Sequence, residues 1–225
     1  MTVKELFHRF LVMINKNDTN DGVDYPKADF VLFFNSESQR WLGEELKKSE
    51  DNIDVNMIEF LLVTDKWLGK PVTKTKEFFE YTVPVDFFQA YGTYSYASRG
   101  FCENVKIFNY EKKPGNIIPV LEDKASGPWF DYEEAPFIIG SDKVKVYFDD
   151  YEIIKSFINY YRVPKPIDIV GYDHFDGTPS TNIDPELDDF NCVQILEKLA
   201  VEVSRQTTDV EKFQLDKDRT NTNPN

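Results

Sequence analysis

The residues best suited to bind a metal or to act as nucleophile and base are few and far apart in this chain. There are two histidines, His8 and His174, and two cysteines, Cys102 and Cys192. A zinc site needs three or four such ligands at short spacing, and these four residues do not provide it. The sequence also has no Gly-x-Ser-x-Gly nucleophile motif and no Gly-rich phosphate-binding loop. We therefore predict no metal, no cofactor and no catalytic residue, although a Ser–His–Asp or Cys–His arrangement formed in the fold stays open.

Three pairs of adjacent carboxylates are the next candidates for chemistry. They are Glu133–Glu134, Asp149–Asp150 and Asp188–Asp189. Glycoside hydrolysis uses two carboxyl groups held at a defined separation, so these pairs leave a small hydrolase open as an alternative function. In a chain with 40 acidic residues, however, neighbouring carboxylates usually belong to the solvated surface.

A cluster of tyrosines offers a different kind of site. Tyr91, Tyr94 and Tyr96 surround Gly92, and exposed rings at this spacing can stack on sugars or bases. Tyrosines in a strand-rich segment are more often half-buried packing residues. A carbohydrate- or peptide-binding module therefore remains a second alternative.

Composition limits the partners of the protein. The chain of 225 residues has 26 Lys and Arg against 40 Asp and Glu, a formal net charge of −14, which opposes nonspecific binding to DNA or to acidic membranes. The first ten residues mix charges into the apolar positions and do not resemble a signal peptide, and no segment approaches the roughly 20 apolar residues that cross a bilayer. We expect a protein made in a reducing cytosol, with both cysteines as free thiols.

The two ends of the chain have helical patterns. Thr2 and Glu5 form a capping box, and apolar residues recur at helical spacing from Val3 to Ile14. Pro26 suits the first turn of a second helix, whose apolar stripe is Val31, Phe34, Trp41, Leu42 and Leu46. The segment Ile53–Leu68 is a possible third helix. Near the other end, Asp184 and Pro185 predict the start of a helix with the stripe Cys192, Ile195, Leu196, Leu199, Ala200 and Val203.

The middle of the chain reads as strands. Aromatic and β-branched residues between Pro and Gly predict strands over Glu77–Val83, Thr93–Ala97 and Asn104–Tyr110, and a hairpin that joins Phe137–Ile139 to Val144–Phe148. The segment Lys113–Pro136 predicts an ordered loop, and Ile153–Tyr161 is either strand or helix.

These patterns predict an α+β fold, with N-terminal helices and a C-terminal helix around a central, mainly antiparallel β-sheet. We expect one domain over residues 1–206, with helices in 1–70, a β-rich part in 76–166 and a helix in 184–206. Residues 207–225 are polar and predict a flexible tail.

Five segments carry a resemblance to a known family: Arg9–Phe10, Phe33–Glu37, Tyr81–Phe88, Tyr161–Pro164 and Asp184–Leu187. With these, the chain resembles the head-to-tail connector proteins of tailed bacteriophages, especially the neck ring (portal-adaptor) proteins of crAss-like phages. The resemblance covers most of the chain and is closest in the C-terminal third.

The resemblance implies a structural virion protein, not an enzyme, that forms a homo-oligomeric ring of twelve subunits in the phage neck or tail. Such a ring connects the portal protein to adjacent neck and tail ring proteins, and double-stranded DNA passes through its lumen without sequence-specific binding. The protein would be made in the host cytoplasm and end in the virion, with no membrane partner. The interface candidates are Leu196, Leu199, Val203, Arg162 and Phe213.

Overall fold

Four α-helices and eight strands make up the parts of the chain that the computed structural model describes, residues 1–15, 25–52, 58–123 and 126–203. The predicted α+β class is confirmed. The helices are α1 (Val3–Ile14), α2 (Lys27–Asn52), the short α3 (Ile117–Glu122) and α4 (189–203).

The start of α1 follows the predicted capping box. The Thr2 hydroxyl accepts a hydrogen bond from the backbone N–H of Glu5 (3.3 Å), and the Glu5 carboxylate accepts one from the N–H of Thr2 (2.8 Å). The apolar stripe of α1 packs on α2, where the Phe30 ring lies 5.0 Å from Phe7 and 5.2 Å from Phe10 between ring centroids.

The start of the C-terminal helix differs from the prediction. Asp184 and Pro185 lie outside the helix, which begins at residue 189. Asp188 caps α4 by accepting from the N–H of Asn191 (2.8 Å), whereas Asp184 accepts from the N–H of Val3 (2.8 Å) at the start of α1. Either aspartate suits a helix N-terminus, and only the fold decides which helix each one caps.

All eight strands belong to one sheet. The strands are β1 (Leu62–Trp67), β2 (Thr73–Lys74), β3 (Phe78–Thr82), β4 (Phe87–Arg99), β5 (Cys102–Glu111), β6 (Glu134–Ile139), β7 (Lys143–Tyr147) and β8 (Glu152–Arg162). Their order across the sheet is β1-β8-β4-β5-β6-β7-β3-β2, and every pair is antiparallel except β5 with β6. The predicted β6–β7 hairpin is confirmed, and the open choice for Ile153–Tyr161 is settled as a strand.

The possible third helix over Ile53–Leu68 is wrong for the residues that the structure describes. Glu59–Leu61 form a single 3-10 turn, and β1 follows at once, paired with β8. Residues 53–57 lie outside the described ranges. A short apolar run suits a helix or a strand equally well, and pairing with β8 decides in favour of the strand. The predicted loop Lys113–Pro136 contains a 3-10 turn and α3.

The sheet curls around its own core. In a flat sheet, the five strand spacings between β8 and β3 would hold them ~24 Å apart. Instead, the Ser156 hydroxyl on β8 donates to the Tyr81 hydroxyl on β3 at 3.0 Å, and it lies 2.9 Å from the Ser95 hydroxyl on β4. The enclosed apolar cluster consists of Phe79, Tyr81, Ala97, Ile107, Phe130, Ala135, Phe137, Val144, Val146, Tyr151, Ile153, Ile158 and Tyr160.

We expect Ser156→Ala to lower the free energy of unfolding by about 1–3 kcal/mol, because it leaves the buried Tyr81 hydroxyl without its partner on β8. Urea denaturation followed by circular dichroism measures the change. The matched control is Ser141→Ala at an exposed turn, which should remain within about half a kcal/mol of the parent. Equal effects of the two variants would contradict a structural role for the buried hydroxyl chain.

The single domain predicted for residues 1–206 divides into two compact units. The helical unit consists of Met1–Asp54 and Pro164–Asn225, and the sheet unit is the continuous segment Val55–Val163. Within the helical unit, the amide group of Asn35 on α2 forms two hydrogen bonds with the backbone of Ile167, at 3.1 and 2.8 Å. Lys198 on α4 forms an ion pair with Glu44 on α2 at 2.5 Å. These contacts join segments that are distant in sequence, which is why local patterns did not indicate the division.

Candidate functional site

The outer face of the sheet, opposite the buried core, carries a row of aromatic side chains. Trp67 on β1 pairs with Phe157 on β8. Tyr94 on β4 pairs with Phe157 on one side and with Phe108 on β5 on the other. Directly paired residues point to the same side of a sheet, and the residues that alternate with Tyr94 along β4 are buried in the core. We call Trp67, Tyr94, Tyr96, Phe108 and Phe157 the aromatic face.

Two lysines flank this row. Tyr96 pairs with Lys106 on β5 and with Lys155 on β8, and both lysines are exposed. The Lys106 Nζ atom lies 4.1 Å from the centroid of the Tyr94 ring and 5.3 Å from that of Phe108, within the range of a cation–π interaction. A strongly acidic chain therefore presents an aromatic surface with two lysines beside it.

The rings of the aromatic face pack mainly on one another. The Tyr94 and Phe157 rings are stacked, with centroids 5.1 Å apart and planes 9° apart, and Tyr96 lies edge-on to both at 5.9 and 6.0 Å. Trp67 and Phe108, at the two ends of the row, remain 51% and 56% exposed. The central rings of the row are thus packed against one another, and the rings at its two ends are exposed to solvent.

A bulge in β1 fixes the Tyr94 side chain. The register of β1 against β8 shifts between Val63 and Lys66, and Asp65 within it has a φ of 54°. Bulges commonly redirect a side chain, and here the Asp65 carboxylate accepts a hydrogen bond from the Tyr94 hydroxyl at 2.7 Å. Burial of the hydroxyl, reinforced by the Asp65 carboxylate, raises the pKa of Tyr94 to about 12.

This geometry favours protein contact over ligand stacking. Phe157 covers the Tyr94 ring from the β8 side and Lys106 covers it from the β5 side, so neither face of that ring is free to receive a sugar or a base. Tyr91 is 66% exposed but contacts Tyr161 edge-on. Exposed aromatic side chains are enriched in the central parts of protein interfaces, and charged side chains such as these lysines are more common at the rim.

The predicted interface residues lie elsewhere. Leu196 and Leu199, two of the interface candidates, are buried within the helical unit, at 0% and 3% exposure, so the fold of their own chain covers them. Val203 is half-buried at the end of α4, and Arg162 is half-buried at the end of β8. Phe213 lies outside the described residues.

Several members of the carboxylate pairs have structural partners. Asp150 forms an ion pair with Arg99 at 3.0 Å, and Arg99 also binds Asp131. Asp188 caps α4, and Asp189 binds the N-terminal amine at 2.6 Å. Glu133 occupies a turn with a φ of 57° just before β6. These positions account for Asp150, Asp188 and Asp189 as caps or ion-pair partners, whereas Glu134 begins β6 and Asp149 is exposed after β7.

A buried carboxylate that sequence patterns did not single out organises the loop 164–188 of the helical unit. Asp168 is 6% exposed and accepts from the Tyr172 hydroxyl (2.6 Å), the N–H of Thr181 (2.7 Å) and the N–H of Ile169 (2.9 Å). A second side chain, that of His174, also contacts this carboxylate: its Nε2 atom lies 3.2 Å from Asp168 Oδ2. In the sequence, the buried position of Asp168 is indicated only by the isoleucines on either side of it.

The hydrogen bonds to Asp168 and its lowered pKa indicate a structural role for this carboxylate. Burial by itself raises the pKa of this carboxyl, but the hydrogen bonds from Thr181, Tyr172 and Ile169 outweigh it and hold the pKa below its usual range. A carboxylate offers about four lone-pair sites, and these contacts occupy them. We therefore interpret Asp168 as a structural carboxylate that closes the loop.

The remaining candidates and the comparisons with known proteins add no assignment. Cys192 is buried and Cys102 exposed, both as free thiols. Among the described residues, no three His, Cys, Asp or Glu side chains are grouped to hold a metal ion, and no helix is long and apolar enough to span a bilayer. Comparison of the chain with protein-family models and with curated proteins finds no match.

Proposed function

We propose that this protein is a structural subunit of the bacteriophage neck or tail, where copies form a ring that connects the portal protein to the tail. The observation that supports the proposal best is the aromatic face with its two lysines. Monomeric proteins seldom expose contiguous aromatic surface without an interaction role. A ring subunit needs such surfaces, because each copy must contact two neighbours and the rings above and below it.

The charge of the chain suits a DNA channel. With a net charge of −14, most of the surface repels the phosphate backbone, so a lumen built from it would let DNA pass without gripping it. The two lysines beside the aromatic face then belong at contacts between proteins. Twelve subunits remain part of the proposal, as the resemblance to neck ring proteins implies.

The two alternatives receive less support from the geometry. A hydrolase would need two carboxylates across a cleft. Asp150, Asp188 and Asp189 are engaged in ion pairs or capping, whereas Asp149 lies with Glu77 and Glu122 on an open groove, so a test of glycoside hydrolysis should include Asp149→Asn. A sugar-binding module would need a free ring face. Both faces of Tyr94, at the centre of the row, are covered, and only the rings at its ends, Trp67 and Phe108, are exposed by more than half.

Electron microscopy tests the proposal. We expect antibodies against the protein to label the neck or tail of phage particles, and purified protein to form closed rings in negative stain. Label distributed over the capsid, or absent from intact particles, would contradict the assignment. Glycan-array binding or hydrolysis of glycoside substrates by the purified protein would instead favour one of the alternatives.

A further inference from the structure

A second surface of the sheet unit has the opposite charge to the aromatic face. It is an open groove of about 410 Å³ lined by Ile118, Leu121, Pro128 and Phe148, with Glu77, Glu122 and Asp149 among its walls. The three carboxylates are exposed, and Ile118 on α3 is 66% exposed. We call these seven residues the acidic groove.

The acidic groove and the aromatic face share no residue and lie on different elements. The groove is formed by α3, Pro128, the residue before β3 and the two residues after β7. The aromatic face lies on β1, β8, β4 and β5. The aromatic face is apolar and has Lys106 and Lys155 beside it. The acidic groove is apolar and has three carboxylates in its walls. The charges beside the two surfaces are therefore of opposite sign.

We propose that the aromatic face of one copy binds the acidic groove of the next copy, with Lys106 and Lys155 opposite Glu77, Glu122 and Asp149. A contact between two different surfaces of identical chains is heterologous, and repeated contacts of this kind close into a ring when the rotation allows it. The inference rests on the proposed ring function and specifies which surfaces meet. Exposed Trp67 and Phe108 are the aromatic anchors that such contacts commonly use.

A charge-reversal experiment tests this pairing. The first variant carries Lys106→Glu and Lys155→Glu, and the second carries Glu77→Lys and Glu122→Lys. Each variant alone places like charges across every contact, so we expect at least a tenfold loss of association, measured by analytical ultracentrifugation and electron microscopy. In an equimolar mixture, opposite charges meet at every contact between the two different variants, and we expect assembly to return as rings in which the variants alternate and whose number of subunits is even.

Control variants separate the contact from the effect of net charge and from misfolding. Lys70→Glu with Lys113→Glu makes the same change in net charge at exposed positions outside both surfaces, and its assembly should match the parent protein. Circular dichroism checks the folding of each variant. If Lys106→Glu disturbs the sheet through the loss of its contact with Tyr94, then Lys155→Glu and Glu122→Lys replace the double variants in the same mixing experiment.

The outcomes distinguish the inference from the proposed function. Rings formed by either charge-reversed variant alone, or folded variants that fail to assemble when mixed, would overturn the pairing and leave the ring proposal standing. A parent protein that stays monomeric at every concentration would also overturn the pairing. In that case the labelling of phage particles decides the proposed function independently.

Discussion

Leu199→Asp should abolish the folded state of the helical unit. Leu199 is 3% exposed on the apolar side of α4, and a carboxylate there would be buried without a partner. The cost is several kcal/mol for the charge, in addition to about 2–5 kcal/mol for the lost apolar side chain. These losses are comparable to the whole stability of an ordinary domain. Hydrogen exchange should show loss of protection in α1, α2 and α4, and soluble yield should fall.

The matched control lies on the opposite side of the same helix. Glu202 is exposed, so Glu202→Lys should change the free energy of unfolding by no more than about half a kcal/mol. Size-exclusion chromatography and hydrogen exchange of the two variants can be compared directly. If Leu199→Asp kept the protection pattern of the parent protein, the assignment of the two faces of α4 would be wrong.

The second large effect is expected at Asp168. Asp168→Ala removes the acceptor for the Tyr172 hydroxyl and for the N–H groups of Thr181 and Ile169; the bond from Ile169 is buried and the other two are part-buried. A buried donor left without its acceptor costs about 1–3 kcal/mol, so the loss of three hydrogen bonds to one carboxylate should cost about 3–5 kcal/mol in all. We expect this reduction in the free energy of unfolding at neutral pH, together with faster hydrogen exchange across residues 164–188.

Asp173→Ala, at an exposed position in the same loop, is the control and should remain close to the parent. The pH dependence gives a further check. The folded-state pKa of Asp168 is below its usual value, so its stabilisation is present above about pH 4 and is lost as the pH falls through the folded-state pKa. The difference in stability between the parent and Asp168→Ala should therefore shrink in acid. A constant difference from pH 7 to acid would contradict the anchoring role.

Patterns within single elements predicted the fold class well. The capping box of Thr2 and Glu5, the stripe of α2 and the β6–β7 hairpin are all local features, and all three are confirmed. The errors arose where a distant segment decides the outcome. Leu62–Trp67 becomes a strand because β8 is available to pair with it, and Asp184 caps α1 from the far end of the chain.

The candidate site was predictable only in part. The spacing of Tyr94 and Tyr96 puts both rings on one face of a strand, whereas Tyr91 lies within the register irregularity between Ala90 and Gly92. Trp67 and Phe108 join the same row through strand pairing. That pairing is set by topology, so it leaves no signature at either position.

The insertion of the sheet unit between the two parts of the helical unit has a consequence for biosynthesis. All strands of the sheet unit lie within Val55–Val163, so it can complete its fold while the ribosome is still translating. The contacts of α4 with the earlier part of the helical unit, the Lys198–Glu44 ion pair with α2 and the Asp189–Met1 ion pair before α1, form only after residues 189–203 have emerged. At ordinary translation speeds this is a wait of about 10–30 s. During that time the nascent chain exposes an apolar surface of the kind that chaperones bind, and chains released before α4 is complete would be prone to aggregate.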